Sequence, residues 1–494
     1  MSGKTAAELG RLVSGSVVGD ATAAVRDVTH DSRHAGTGIL FTAVEGASHD
    51  GHEYVPDAVA AGSTVVCVNR RLDVPVTQIV VEDTRAVMGR LAARVHDDPS
   101  VEVPVVGVTG TNGKTTVTHY IESITATNGW KPGLIGTIRT RVGGIRYQST
   151  RTTPEATDFQ RLLARMRDEG ADVIATEVSS HALDLERVAG TRFAVAAFTN
   201  FSRDHLDFHH DMASYRLAKE RLFREYDVES AVVDVDDTVG KDIASWAPMS
   251  VTTVGAGGDV RAINLVGTDL GTSFDLMVRG ETVEVKTPLI GSFNVRNALV
   301  ASACGLVLGL TLDQVREGLG SLAGVPGRFE LVSGASAIRV IVDYAHTPDS
   351  VSAAVGAARE VNRARVIAVL GAGGDRDVDK RPLMGASAAL ADLVVVTNDN
   401  TRSEDPASIA EAVFAGIPET TPAQVVLDRR AAIESALNRA EPGDLILVLG
   451  KGHENTQEIG IEVHPFNDRT VVRELLGLTP ESASSGLTSG SMSL

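Results

Sequence analysis

The stretch GVTGTNGKTT, residues 107–116, decides the architecture of this chain. It closes VPVVGV, an apolar run of the kind that forms a buried strand. After Lys114 the apolar residues Val117, Tyr120, Ile121 and Ile124 recur at helical spacing, and Asn128-Gly129 ends the pattern. Strand, glycine loop and helix in that order predict a phosphate cradle. Successive backbone N–H groups and the helix N-terminus face the anion, Lys114 reaches the outer phosphates, and a threonine hydroxyl lies near magnesium. The strict pattern puts glycine at position 108, where this chain has Val108. Its loop is Gly110, Thr111, Asn112, Gly113, Lys114, Thr115 and Thr116.

On both sides of the loop, short apolar runs alternate with helical patterns, the signature of the α/β class. The chain of 494 residues is too long for one core and divides into three regions and a tail. In residues 1–102, ILFTAVEG, STVVCVNR and TQIVVED read as strands and VMGRLAARVHDDP as a helix ending at proline. Residues 103–333 carry the phosphate loop, the strands ADVIATEV and FAVAAFTN, and DLMVRGETVEVKTPL, whose alternation predicts an antiparallel hairpin. Residues 334–479 repeat strand then helix through RVIVD, RVIAVLGAGG, DLVVVTNDN and DLILVLGKGHE. Polar residues follow each of these strands, where ligands bind in open α/β sheets. The Ser/Gly-rich tail, residues 480–494, is expected to be disordered.

A formal charge of −18 argues against a nucleic-acid surface, which is normally basic. It does not exclude a nucleotide, because a few local cations and helix N-termini suffice for phosphates. Cys67 and Cys304 both lie in apolar runs and are expected to be buried and inert. There is no continuous apolar segment long enough for a membrane span, and MSGKTAAELGRLVSG lacks the core of a signal peptide. A cytoplasmic protein, without membrane insertion or nucleic-acid partner and monomeric, is expected.

TGTNGKTT resembles the ATP loop of the Mur ligase family, to which folylpolyglutamate synthetases also belong. ATEVSSHAL, FTNFSRDHLDFH, SYRLAKERLF, GSFNVRNALVA, GRFE, VDYAHTPDS, GGDRDVDKRPLMG, NDNTRSEDP and GKGHE follow in that family's order across nearly the whole chain. The resemblance implies a three-domain Mur ligase architecture of α/β class, with a central P-loop ATPase domain and a C-terminal Rossmann-like domain. It implies an ATP- and magnesium-dependent ligase of peptidoglycan synthesis. Such an enzyme adds a diamino acid, meso-2,6-diaminopimelate before L-lysine or L-ornithine, to UDP-N-acetylmuramoyl-L-alanyl-D-glutamate through an acyl phosphate. The DNTR and GKGHE pair argues against a folylpolyglutamate synthetase. A nucleotide-binding switch would need guanine-reading elements, and no NKxD-type run follows a strand.

The resemblance also assigns residues; taken alone, Glu177, Asn297, Arg328 and Asp343 would read as solvated surface groups and His205 as a hydrogen-bonded structural histidine. Lys114, Glu177, His205, Lys219 and Arg328 carry the chemistry. Thr115, Glu177 and His205 hold magnesium, together with Lys219. By itself Lys219 reads as a helix-surface lysine among Arg and Glu. The resemblance makes it the lysine that takes up CO2, and a carbamate gives magnesium the oxygen ligand it prefers. Asn297 serves the adenine, Arg328 the γ-phosphate from across the domain boundary, and Asp343 the ribose. Ser32, Ala47, Ser48 and His49 contact the uridine nucleotide. Thr152, Thr153, Ser179 and Arg187 hold the muramoyl dipeptide. Arg381, Asp399, Asn400, Thr401, Arg402, Gly450 and Glu454 form the amine pocket. There the Arg402 fork suits the distal carboxylate that diaminopimelate has and lysine lacks. Thr401 stands where diaminopimelate-selecting relatives carry proline, so the rigid turn residue is absent. Three sites serving one reaction imply domains that close around the substrates.

Overall fold

Near-continuous Val, Ile and Ala runs make strands buried on both faces, and this composition produces parallel sheets covered by helices. The computed structural model describes residues 3–46, 49–147, 151–268, 270–333, 336–362 and 364–478, so the expected disordered tail lies outside the described residues. A five-stranded sheet near the N-terminus runs Ser16–Val18, Thr77–Val80, Val65–Val68, Ile39–Thr42, Asp27–Thr29. All its neighbours are parallel except the first pair. Cys67 lies at its centre, where burial raises the thiol pKa to about 12, and Cys304 is likewise buried and free.

The central sheet has eleven strands. Its middle is parallel: Val173–Glu177, Val105–Thr109 and Arg192–Phe198 lie side by side. Three adjacent strands therefore end at one edge and deliver Glu177, the phosphate loop and the Thr199-Asn200 turn to the same place. The hairpin expected from alternation is present as Gly271–Val278 paired antiparallel with Glu281–Thr287. Helix Lys114–Thr127 is held under the sheet by Val117, Tyr120, Ile121 and Ile124, each at most 1% exposed. Each such side chain contributes roughly 1.5–3 kcal/mol by leaving water. The Tyr120 hydroxyl keeps a partner, Thr287 Oγ1, at 2.7 Å.

The third sheet orders its strands Glu330–Leu331, Arg339–Asp343, Leu445–Leu449, Val366–Leu370, Leu393–Val396, Ala423–Val425. Five of these are parallel, so the loops after Asp343, Leu449, Leu370 and Val396 share one edge. Arg429 braces that edge from beneath. It is fully buried, pairs bidentately with buried Asp468 at 2.8 and 2.7 Å, and donates to the carbonyls of Asn398 (3.2 Å) and Leu449 (2.9 Å). Lysine keeps the charge and loses the fork. Arg429→Lys is expected to cost about 2 kcal/mol, the value of charge-assisted bonds lost in a buried site. That corresponds to a fall of roughly 5 °C in Tm for a domain of this size. An unchanged melting curve by differential scanning calorimetry would contradict this role.

Candidate active site

The phosphate loop adopts the backbone that its glycines allow. Gly110 has φ +140° and Gly113 φ +89°. A Cβ at Gly113 would meet Asn297 Oδ1 at 2.2 Å, and one at Gly110 would meet Thr199 Oγ1 at 2.0 Å. Both positions exclude any side chain. Lys114 curls back over the loop, its Nζ donating to the carbonyls of Gly110 and Thr111 at 2.9 Å each.

Glu177 is buried beside the loop. Thr115 Oγ1 donates to its Oε2 at 2.9 Å and Thr137 Oγ1 to the same oxygen at 3.0 Å, while the Thr137 amide donates to Oε1 at 2.8 Å. His205 lines the same cavity with φ +54°, and desolvation holds its imidazole below the ordinary pKa against the pull of Asp204. Lys219 is not on the surface. It is 1% exposed, on helix Met212–Arg224, with Nζ donating to the Gly110 carbonyl at 2.8 Å and lying 4.5 Å above the Tyr215 ring. Burial, with Lys114 adding its charge, holds the Lys219 ammonium far below the usual range. The Glu177 carboxylate and the Thr115 hydroxyl are oxygen donors of the kind magnesium prefers, with the His205 imidazole on the same cavity and Lys219 buried behind the loop.

Thr152, Thr153 and Ser179 pack around the same strand end, at Glu177. Thr152 Oγ1 is 3.0 Å from Thr137 Oγ1, Thr153 Oγ1 donates to the Glu177 carbonyl at 2.8 Å, and the Ser179 amide donates to Thr153 Oγ1 at 3.3 Å. Arg187 is paired with Glu155 at 2.9 Å, and its buried Nε has no partner among the described residues. A cavity of about 610 Å³ collects Lys114, Thr152, Thr153, Glu177, Arg187 and His205. Ser32 is half-buried at the start of a 3-10 turn and His49 is exposed, whereas Ala47 and Ser48 lie outside the described residues.

A neighbouring cavity of about 400 Å³ is lined by Gly113, Asn297, Arg328 and Asp343. Arg328 reaches it from the segment joining the second and third sheets. Its Nη2 donates to Thr115 Oγ1 at 3.1 Å and its guanidinium lies 4.4 Å from the Tyr344 ring centroid. Asp343 accepts from the amides of Phe329 (2.6 Å) and Ala345 (2.8 Å), so it also fixes that joining segment. Close approach there demands glycine: a Cβ at Gly327 would meet the Gly452 carbonyl carbon at 2.2 Å.

The third cavity, about 170 Å³, is lined by Asp399, Asn400, Arg402, Gly450 and Glu454. It shares Asp204, His205, Tyr344, His346, Arg376 and Glu454 with the cavity around Glu177. Thr401 is fully buried behind it. Arg381 also lies behind, with Nη2 donating to Glu404 at 2.7 Å and to the Gly373 carbonyl at 3.4 Å.

Family models match in order along the chain: the Mur ligase family, catalytic domain over residues 24–96, the Mur ligase middle domain over 108–305, and the Mur ligase, glutamate ligase domain over 327–452. The UDP-N-acetylmuramoyl-L-alanyl-D-glutamate–2,6-diaminopimelate ligase of Aquifex aeolicus is 41% identical over 454 residues, covering 92% of this chain and 94% of the relative. The chain belongs to the Mur ligase family. The Streptomyces coelicolor ligase of the same name is 42% identical over 476 residues, covering 93% of this chain and 94% of its own. A solved structure of a ligase so named superposes with a TM-score of 0.70 at 30% identity, covering 97% of this chain and 99% of that one. The expected α/β three-domain architecture and the ATP-dependent ligase class are those of the Mur ligase family. Among the described residues, no helix is long and apolar enough to cross a membrane.

In this Mur ligase one buried residue escaped the sequence reading. Lys451, fully buried in GKGHE, donates from Nζ to Asn400 Oδ1 and Glu454 Oε2, each at 2.9 Å, and so orients both. Its signal was a lysine bounded by glycine immediately after the apolar strand LILVL, where an exposed cation has no reason to be placed.

Proposed function

We propose that this Mur ligase joins meso-2,6-diaminopimelate to UDP-N-acetylmuramoyl-L-alanyl-D-glutamate at the expense of ATP, in peptidoglycan synthesis. One observation carries the reading: the cavity holding Arg402 and Glu454 adjoins the cavity holding the phosphate loop and the Thr152-Thr153 motif, the two sharing Asp204, His205 and Glu454 in their linings. An amine bound in the first would meet an acyl group activated in the second.

In this reading residues 1–102 bind the uridine nucleotide through Ser32 and His49, residues 103–333 bind ATP and the dipeptide, and residues 334–479 bind the amine. Loop amides, Lys114 and Arg328 hold the phosphates, with Asn297 and Asp343 on the nucleoside side. Thr152, Thr153, Ser179 and Arg187 place the glutamyl carboxylate in line with the γ-phosphoryl group. Its oxygen attacks phosphorus, the bond to ADP breaks, and an acyl phosphate forms. Fixed cations offset the repulsion between these anions. Asp399, Asn400, Arg402 and Glu454 then present the amine nitrogen to the acyl carbon. A proton leaves the nitrogen, the C–O bond to phosphate breaks, and the amide forms.

Thr115, Glu177, His205 and Lys219 would hold magnesium, which neutralises charge on the transferring phosphoryl group. Burial, which disfavours the Lys219 ammonium, suits carbamylation: the amine lone pair would bond to the carbon of CO2, a proton would depart, and an anionic oxygen donor would result.

Arg402 makes the substrate choice testable. A charge-assisted pair with the distal carboxylate contributes roughly 1.5–3 kcal/mol, about one to two decades in kcat/KM. Arg402→Ala is therefore expected to abolish the preference for meso-diaminopimelate over L-lysine while changing lysine turnover less. A preference that survives the substitution, in competition assays resolved by product mass, would sink this assignment of Arg402.

A further inference from the structure

The hairpin formed by Thr456–Ile459 and Glu462–Pro465 follows GKGHE directly. Apolar burial does not hold it in place: the outer strand is exposed throughout, as is Ile461 at the turn. It is stitched instead to the segment Asp399–Arg402. Gln457 Nε2 donates to the Asp399 carbonyl at 3.1 Å, and the Glu458 amide donates to Asn400 Oδ1 at 3.0 Å. The Arg402 amide donates to the Glu458 carbonyl at 3.2 Å, and the Gly460 amide to the Arg402 carbonyl at 2.7 Å. These bonds hold Arg402 at φ +50°, in the left-handed region that non-glycine residues seldom adopt.

The side chains continue the pattern. Glu458 Oε2 lies 3.0 Å from Arg402 Nε, and Arg402 Nη1 donates to the Gly374 carbonyl at 2.8 Å. One nitrogen of the fork, Nη1, is thus hydrogen-bonded to protein, and a second, Nε, is ion-paired with Glu458. The third, Nη2, has no hydrogen-bond partner among the described residues, and Arg402 lines the 170 Å³ cavity.

We propose that Glu458 is a positioning residue that sets the choice of amine, by holding the Arg402 fork where it meets a distal carboxylate. The proposal rests on the reading of this cavity as the diamino-acid site. The Glu458 side chain is 42% exposed, so its ion pair adds little to folding stability. Its contribution is orientation, which acts on the bound amine and on no other substrate.

Steady-state kinetics of the full-length enzyme with ATP, magnesium and the UDP-dipeptide test this. Glu458→Ala is expected to raise KM for meso-diaminopimelate about tenfold and to lower its kcat/KM advantage over L-lysine by about the same factor. The kcat, the other two KM values and Tm should stay near wild type. Glu458→Gln, which keeps an acceptor for Nε, is expected to recover most of the KM. A KM for diaminopimelate within about twofold of wild type in Glu458→Ala would overturn the proposal, as would a parallel rise in all three KM values, which marks a merely structural contact. Wild-type enzyme that uses lysine as well as diaminopimelate would instead overturn the substrate reading, before any variant is compared.

Discussion

Lys114→Ala is expected to abolish turnover while leaving affinity for the UDP-dipeptide within a few-fold of wild type. Lys114 lies over the carbonyls of Gly110 and Thr111, at the N-terminus of helix Lys114–Thr127, and faces the cavity that also holds Glu177 and Arg328. In the proposed reading its charge serves the phosphoryl group in flight. Removing one such fixed cation costs on the order of 10³–10⁵ in rate for phosphoryl transfer. In the proposed reading the uridine end is bound beside a different sheet, around Ser32 and His49, so its binding energy should be separate. Calorimetric titration with the UDP-dipeptide and single-turnover chemistry on the same variant separate the two effects. An equal loss of UDP-dipeptide affinity would contradict the division of labour between the sheets.

Lys219→Ala should be nearly inactive, with kcat lower by roughly 10²–10³, the scale for losing one fixed group that serves developing charge. A surface lysine would give no such loss. This one is 1% exposed, its Nζ donates to the Gly110 carbonyl, and burial has taken its ammonium far down in pKa. A neutral amine can attack CO2, and the resulting carbamate supplies the oxygen that magnesium favours over nitrogen. On the proposed carbamylation, truncation to alanine leaves space that a free carboxylate could fill. Formate or acetate added to the assay is therefore expected to restore part of the rate in the variant and none in wild type. The melting temperature checks that the variant is folded. Full activity without added acid would show that Lys219 plays no part in the chemistry.

The parts of this site that could be read in the sequence are those built by local rules. The phosphate loop was legible because strand, glycine conformation and helix start lie within one short stretch, and Gly110 and Gly113 do adopt positive φ. The polar residues after RVIVD, DLVVVT and DLILVLG were legible for the same reason: parallel strands bring their carboxyl ends to one edge. Lys219 was harder. The run SYRLAKERLF looks like a charged surface, yet Tyr215, Ala218 and Leu222 are buried at helical spacing and Lys219 shares their face. That periodicity was the available signal.

Pairings across long separations had no local trace. Arg429 stands in LDRRAAIESALNR, an ordinary basic helix by composition, and becomes buried only because Asp468 arrives from another helix. The bridge between Arg402 and Ile459, which stitches the hairpin to the loop carrying Arg402, joins segments that follow different strands of the third sheet. The strand Val260–Thr268 is exposed along most of its length, so it carries none of the alternation that marks the hairpin beside it. Loop-to-loop contacts of this kind depend on tertiary packing, which propensity and periodicity do not encode.

The most direct test is the amine dependence of phosphate release by the wild-type protein, given ATP, magnesium and UDP-N-acetylmuramoyl-L-alanyl-D-glutamate, with the product identified by mass. Release is expected to require an amine, with a product heavier by one diaminopimelate residue and a kcat/KM for meso-diaminopimelate roughly one to two decades above that for L-lysine. Equal or better use of L-lysine would contradict the reading of Arg402 and its cavity. No release with any diamino acid would contradict the ligase assignment itself.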